Sequence, residues 1–293
     1  MTVFVVRHIT EYRYRRPVEF GEHQLMFRPR DSYDQRLSSA ALTVDPRPTY
    51  VRWKHDVFGN CVALVGISRA AAELRFETRI QVDHTPQAVA DLQIDDEALT
   101  YPFRYPEDEA DDLASTIRPH FPDDEVDRWA RRFVHTGART DTGRMLMTLC
   151  FAIREGFSYS RRTEPGTQPP VLTLQSRRGT CRDFALLMME AVRTLGLAAR
   201  FVTGYVYVPD RDGSDTRGGG STHAWCQVYI PGAGWVEFDP TNGIVGNGDL
   251  IRVAVVRDPR QAVPLSGSYR GRTADYEGMT VQVNVTTEAT SDT

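Results

Sequence analysis

Cys181 sits in Arg178-Gly179-Thr180-Cys181-Arg182-Asp183-Phe184. Thr180 is a good helix N-cap, and Asp183 three residues later gives a weak form of the capping box. Phe184, Leu187, Met188, Ala191 and Leu195 recur at helical spacing, and Gly196 suits a stop. The pattern places Cys181 in the first turn of a helix. There, unpaired N–H groups and the helix dipole stabilise a thiolate, and the same N–H groups suit an oxyanion formed by attack on a carbonyl. The competing reading is a small buried hydrophobe, as most free cysteines are. Its neighbours Thr180, Arg182 and Asp183 favour a polar, partly open setting.

A cysteine nucleophile needs a base, and the base needs a carboxylate or amide to fix its tautomer. The stretch from Ser221 to Tyr229 alternates, so His223, Trp225, Gln227 and Tyr229 share one strand face. After Pro231-Gly232-Ala233-Gly234, residues Trp235, Glu237 and Asp239 share a face of the next strand. Register decides whether His223 and Asp239 meet: directly opposed residues must have numbers with an even sum. A symmetric two- or four-residue loop gives an odd sum. The pair therefore requires a three- or five-residue loop, or a bulge, with Asp239 near Trp225 and diagonal to His223. From the residues alone, His223 also reads as a structural strand histidine. Zinc held by Cys181, His223, Cys226 and Asp239 is a third reading, disfavoured by the opposite parity of His223 and Cys226. The other six histidines, His8, His23, His55, His84, His120 and His135, have no comparable setting.

The 293 residues are enough for two domains. A net charge of −4 with no long Lys or Arg run argues against nucleic acid as a partner. No apolar run approaches the ~20 residues that cross a bilayer, and Met1–Tyr14 lacks a signal-peptide layout, so the expectation is a cytoplasmic protein with no membrane partner. The four cysteines (Cys61, Cys150, Cys181, Cys226) are scattered without a metal-type pair.

Residues 1–85 read as an N-terminal β-sandwich of short strands. Pieces are expected at Thr2–Ile9, Glu11–Tyr14, Ala41–Val44, Tyr50–Trp53, Cys61–Ile67 and Leu74–Val82, with Pro17-Val18 at a turn or edge and Asp56–Asn60 as a hairpin connection. Residues 86–106 read as a Pro-punctuated linker. A core over 107–275 follows. Helices are expected near Asp111–Ile117, Asp123–Phe133 and Thr142–Gly156, then a loop over Thr163–Pro170 and the Cys181 helix. Strands are expected at Ala199–Val208, Ala224–Ile230, Trp235–Phe238, Ile251–Val256 and Thr280–Val285. The acidic run 107–112 is read as a solvated helix start rather than a metal site. Asp210–Ser221 reads as a flexible Gly/Asp loop, and 276–293 as a C-terminal strand with a frayed tail. The fold class is α+β.

Three motifs in order resemble the transglutaminase-like superfamily in its bacterial, cysteine-protease-like branch: Gly179-Thr180-Cys181-Arg182-Asp183-Phe184-Ala185, Thr222-His223-Ala224-Trp225, and Gly234-Trp235-Val236-Glu237-Phe238-Asp239-Pro240-Thr241-Asn242. Gly196 to Tyr205 matches the segment after the nucleophile helix. His8–Tyr14, Pro17-Val18, Phe27–Arg30 and Asp56–Asn60 resemble that branch's N-terminal domain. The resemblance implies a papain-like core with Cys181, His223 and Asp239 as catalytic triad. Arg257–Leu265 departs from the family pattern, which puts a substrate-site role for it in doubt. The motifs leave the oxyanion side-chain donor unassigned; Gln168 and Gln175 are the candidates.

The resulting expectation is hydrolysis of a peptide or protein amide through a thioester, with no cofactor and no metal. Amine transfer is the alternative, with Trp225, Tyr229 and Trp235 as apolar substrate walls. A non-catalytic binding module is the rival from another class. The sequence does not fix an oligomeric state.

Overall fold

The computed structural model describes residues 2–86, 92–160, 166–208 and 220–288. The chain opens with β1 (Thr2–Phe20), β2 (His23–Leu25), β3 (Gln35–Asp45), β4 (Tyr50–His55), β5 (Cys61–Gly66) and β6 (Ala71–His84). They form the two sheets of a sandwich: β6 lies between β1 and β3, and β5 lies between β2 and β4. Leu25, Phe27, Val44, Ala63, Val65, Leu74 and Phe76 come from both sheets and pack into one buried cluster. The two short pieces expected before Tyr14 are one long strand. Its register against β6 shifts between Arg13 and Val18, and this irregularity accommodates Pro17, which has no N–H for the ladder. The Asp56–Asn60 hairpin forms as expected. Asp56 Oδ1 accepts from the backbone N–H of Phe58 and Asn60 at 2.9 and 2.8 Å, and Gly59 takes φ 76°.

Next come β7 (Thr100–Tyr101), α1 (Glu107–Ile117), α2 (Asp124–Arg131), β8 (Thr140–Asp141), α3 (Thr142–Gly156), β9 (Ser158–Tyr159), α4 (Pro170–Ser176), β10 (Arg178–Gly179) and α5 (Cys181–Thr194). The expected linker is a strap fastened to the core. β7 pairs with β8, Tyr101 Oη donates to Leu195 O at 2.8 Å, and Tyr105 Oη donates to Tyr229 O at 3.0 Å. α4 was not foreseen. It begins at Pro170, where the pattern suggested a loop, and the loop's residues 163–165 lie outside those described.

The core sheet comprises β11 (Ala199–Val206), β12 (His223–Ile230), β13 (Gly234–Asp239), β14 (Ile244–Val245) and β15 (Leu250–Val256), in the order β14-β13-β12-β11-β15. Every neighbouring pair in this sheet is antiparallel. α5 is buried along nearly its whole length and packs on the even-numbered residues Ala224, Cys226, Val228, Val236 and Phe238. Residues 210–219 of the expected Gly/Asp loop lie outside those described.

The last elements are β16 (Leu265–Ser266), β17 (Tyr269–Arg270) and β18 (Tyr276–Glu288). All three belong to the sandwich: β16 pairs with β2, β17 with the end of β1, and β18 with β1 from Val3 to Tyr14. The N-terminal module is therefore completed by the chain's last described strand, and β16 and β17, which fall within the expected core 107–275, pair with it as well. Such pairing spans the whole chain and has no local sequence signal.

Two side-chain amides join sandwich to core. β15 is an edge strand, and unpaired edge groups are costly when covered. Gln35 Nε2 donates to Arg252 O at 2.9 Å while Gln35 Oε1 accepts from Arg252 N at 2.8 Å. Asn60 does the same with Val255 O and N, both at 2.9 Å. Each amide acts as a short added strand. Asn60→Ala should lower unfolding free energy by about 1–3 kcal/mol, because it orphans two backbone groups. Denaturant titration showing a loss under about 0.5 kcal/mol would contradict this role.

Candidate active site

The helix start forms more strongly than the sequence pattern implied. Thr180 is the N-cap with ψ 173°, Asp183 Oδ2 accepts from its backbone N–H at 2.8 Å, and the reciprocal bond to Thr180 Oγ1 completes the box. Asp183 Oδ1 also accepts from Gln168 N at 2.8 Å. The setting of Cys181 differs from expectation. The thiol residue is only 6% exposed, so it is buried rather than partly open. The cause is the depth of α5 in the core. The neighbouring Arg182 side chain lies over Phe201 at 4.9 Å and donates to Ala262 O and Pro259 O. The segment whose sequence departs from the family pattern thus anchors the residue next to Cys181.

β12 and β13 meet in the required register. Cys226 opposes Phe238 and Ile230 opposes Gly234, an even sum that leaves Pro231, Gly232 and Ala233 as a three-residue loop. His223, first in β12, and Asp239, last in β13, lie at the same end of the hairpin. His223 Nε2 is 2.7 Å from Asp239 Oδ2, and both side chains are fully buried. Nδ1 has no hydrogen-bond partner among nitrogen and oxygen atoms, and the Cys181 side chain is the remaining group that favours a charged ring. Burial pulls the imidazolium down, but the Asp239 carboxylate, with a smaller contribution from Cys181, outweighs it and raises the His223 pKa to about 10. Burial likewise disfavours the Asp239 anion, yet His223, Asn242 and the Thr241 N–H hold its pKa below the usual value. Burial raises the pKa of Cys61, and pushes those of Cys150 and Cys226 well up.

Residues around the pair fix its geometry. Asn242 Nδ2 donates to Asp239 Oδ2 at 2.8 Å, and Thr241 N donates to Asp239 Oδ1 at 2.9 Å. The Trp225 ring stacks on His223 with centroids 6.0 Å apart, and its Nε1 donates to Glu237 Oε2 at 3.2 Å. Glu237 also accepts from Gln227 Nε2 at 2.8 Å and Arg252 Nη1 at 2.6 Å, and Arg252 Nη2 reaches Asp34 of the sandwich at 2.6 Å. Gly204 lies directly opposite His223, where a Cβ would collide with the Ile251 carbonyl and the Trp225 ring. Sequence reasoning missed Asn242, Thr241 and Glu237 as positioning groups. An Asp followed by Pro-Thr-Asn, a turn in which the carboxylate accepts local N–H groups, was the available signal for the first two.

The remaining candidates lie elsewhere. Gln168 Nε2 donates to Thr173 Oγ1 and Arg178 O at 2.9 and 2.7 Å, and Gln175 Nε2 donates to Glu125 at 3.0 Å, so neither side-chain amide is aimed at the thiol. Tyr229 and Trp235 oppose each other next to the turn, at the far end of the hairpin. Tyr229 lies six residues along β12 from His223, about 20 Å of strand. Tyr229 Oη donates to Glu109, and Trp235 lies under Arg200. Trp225 is fully buried behind the imidazole. These three aromatics do not wall a cleft at Cys181 and His223; Trp225 stacks on the imidazole, and the other two lie at the far end of the same sheet face.

Residues 127–240 match the transglutaminase-like superfamily, and residues 4–83 match the bacterial transglutaminase-like N-terminal region. The chain thus carries, in order, a region matching the bacterial transglutaminase-like N-terminal region and a region matching the transglutaminase-like superfamily. An uncharacterized protein of Mycobacterium tuberculosis H37Rv is 29% identical over 273 residues, covering 89% of this chain and 86% of its own length. An uncharacterized protein of Mycobacterium leprae is 37% identical over 113 residues, which is 38% of this chain and 39% of that relative. Among solved structures, a Cytophaga hutchinsonii protein provisionally named a cysteine protease matches with a TM-score of 0.74 at 19% identity, covering 100% of this chain and 92% of that one. At that identity the likeness is one of fold.

With its pKa raised, the His223 imidazolium is fully present below the ordinary value near 6.5 and is lost as pH rises through about 10. Nitrogen-15 NMR of the ring should show both nitrogens protonated at neutral pH, titrating near 10. In Asp239→Asn, burial is unopposed by the carboxylate and the midpoint should fall below 6.5. A wild-type midpoint near 6.5 would remove the electrostatic basis of the site.

Proposed function

We propose that the protein is a thiol-dependent acyl-transfer enzyme that hydrolyses a peptide or protein amide through a thioester on Cys181. The observation that carries this reading is the buried His223 ring, clamped at Nε2 by Asp239 and left with Nδ1 for exchange with the thiol. In the first step the Cys181 thiolate attacks the amide carbonyl and the oxygen takes up the negative charge. His223 gives its proton to the departing amine as the C–N bond breaks, leaving the thioester. In the second, water attacks the thioester, His223 accepts the water proton, and the C–S bond breaks to release the acid and the thiolate. Asp239 stays ionised throughout and holds the imidazolium.

With both glutamine amides engaged elsewhere, backbone groups are the natural oxyanion donors. The N-cap claims Asp183 N and Phe184 N, which leaves the first-turn N–H groups of Cys181 and Arg182.

The assignment has two readouts. Limited iodoacetamide at neutral pH should label Cys181 ahead of Cys61, although Cys61 is the more exposed of the two; preferential labelling of Cys61, Cys150 or Cys226 would sink it. With a turned-over substrate and millimolar primary amine, free acid should dominate the products. Mostly amide product would make the enzyme a transferase acting through the same thioester.

A further inference from the structure

A groove of about 740 Å³ runs between the sandwich and the core sheet, bordered by Tyr33, Arg200, Gln227, Trp235, Glu237 and Arg257. Neither Cys181 nor His223 lines it. Arg200 opposes Gln227, four residues along β12 from His223, which is about 13 Å of strand. The buried Trp225 lies between, so this groove is separate from the thiol site.

Arg200 is held in place but not electrically satisfied. Its guanidinium lies 3.9 Å over the Trp235 ring, and Nε donates to Gln227 Oε1 at 2.6 Å. Gln227 is fixed in turn by Glu237 at 2.8 Å. Among the described residues, Nη1 and Nη2 make no hydrogen bond or ion pair. The neighbouring acid, Glu237, has its oxygens taken by Trp225, Gln227 and Arg252. Asp31 in the same groove accepts from Leu37 N, and Asp112 is exposed on α1. A second guanidinium on the groove, Arg257, has a buried Nε without a partner. Burial draws the Arg200 pKa down to about 10, as expected for a cation short of compensation. A stacked guanidinium with Nε tied and both Nη groups free offers a planar fork that matches a carboxylate.

We infer that this groove binds a carboxylate-bearing ligand, with Arg200 as its bidentate receptor and Trp235 as the platform beneath it. The carboxylate is that of a small organic acid or of a peptide C-terminus, and the volume accommodates either. Binding is independent of the chemistry at Cys181.

Isothermal titration of full-length Cys181→Ala, which does not turn over peptide, tests this with three probes: succinate, a penta-alanine with a free C-terminus, and its C-terminal amide. The free acid should bind at least tenfold more tightly than the amide, and comparison with succinate identifies which source of carboxylate the groove prefers. Arg200→Gln in the same background should lose at least tenfold in affinity. Arg200→Lys, which keeps the charge but not the fork, should also bind more weakly. Equal binding of acid and amide, no binding of either acid at millimolar concentration, or undiminished affinity in a folded Arg200→Gln protein would overturn the inference. If Arg200→Gln does not fold, the acid–amide comparison and Arg200→Lys decide it.

Discussion

The candidate site depends on one buried contact, the 2.7 Å pairing of His223 with Asp239 at the open end of the β12–β13 hairpin. An uncompensated charge at that depth would be costly, so each partner justifies the burial of the other. The contact exists only because the turn has three residues and keeps both side chains on one face. A single-residue change in loop length would send Asp239 to the face packed against α5. The same end of the hairpin receives the first turn of α5, which is why a thiol, an imidazole and a carboxylate from three separate elements converge.

The sandwich supports that contact. Asp34 holds Arg252, Arg252 holds Glu237, and Glu237 holds the indole on which His223 stacks. Asp34, Glu237 and Trp225 are each at most 4% exposed, a depth at which these bonds are little screened. Gln35 and Asn60 meanwhile close the edge of β15. The N-terminal module therefore fixes the floor of the core sheet, and its completion by β18 ties the last described strand of the chain to the same purpose.

The parts legible in the sequence are those with local causes. Thr180 and Asp183 mark the start of α5, the 3.6-residue recurrence from Phe184 marks its length, and strand parity predicts both the odd-numbered turn and the diagonal placement of Asp239. The resemblance across three motifs added the proposed roles of Cys181, His223 and Asp239. What escaped was non-local. No pattern in Tyr276–Glu288 says that its partner is β1, and nothing beside Cys181 reveals that Arg182 is anchored by the 259–262 segment or that the thiol is buried. Alternation put Tyr229 and Trp235 on the face of His223 but carried no distance, and their place beside the turn sets them far from His223 and Asp239. The side-chain amides of Gln168 and Gln175 are engaged by Thr173, Arg178 and Glu125, partners set by how α4 packs, and α4 was not foreseen.

The claim that Cys181 is the atom that becomes acylated is tested most directly by trapping the intermediate. The protein would be mixed with an activated peptide anilide, quenched in acid within milliseconds to seconds, digested, and examined by mass spectrometry. The account predicts the acyl mass on the peptide containing Cys181, its removal by hydroxylamine, and its absence in Cys181→Ala, whose turnover should be lower by several orders of magnitude. An acyl group on any other residue, or undiminished turnover by Cys181→Ala, would contradict it.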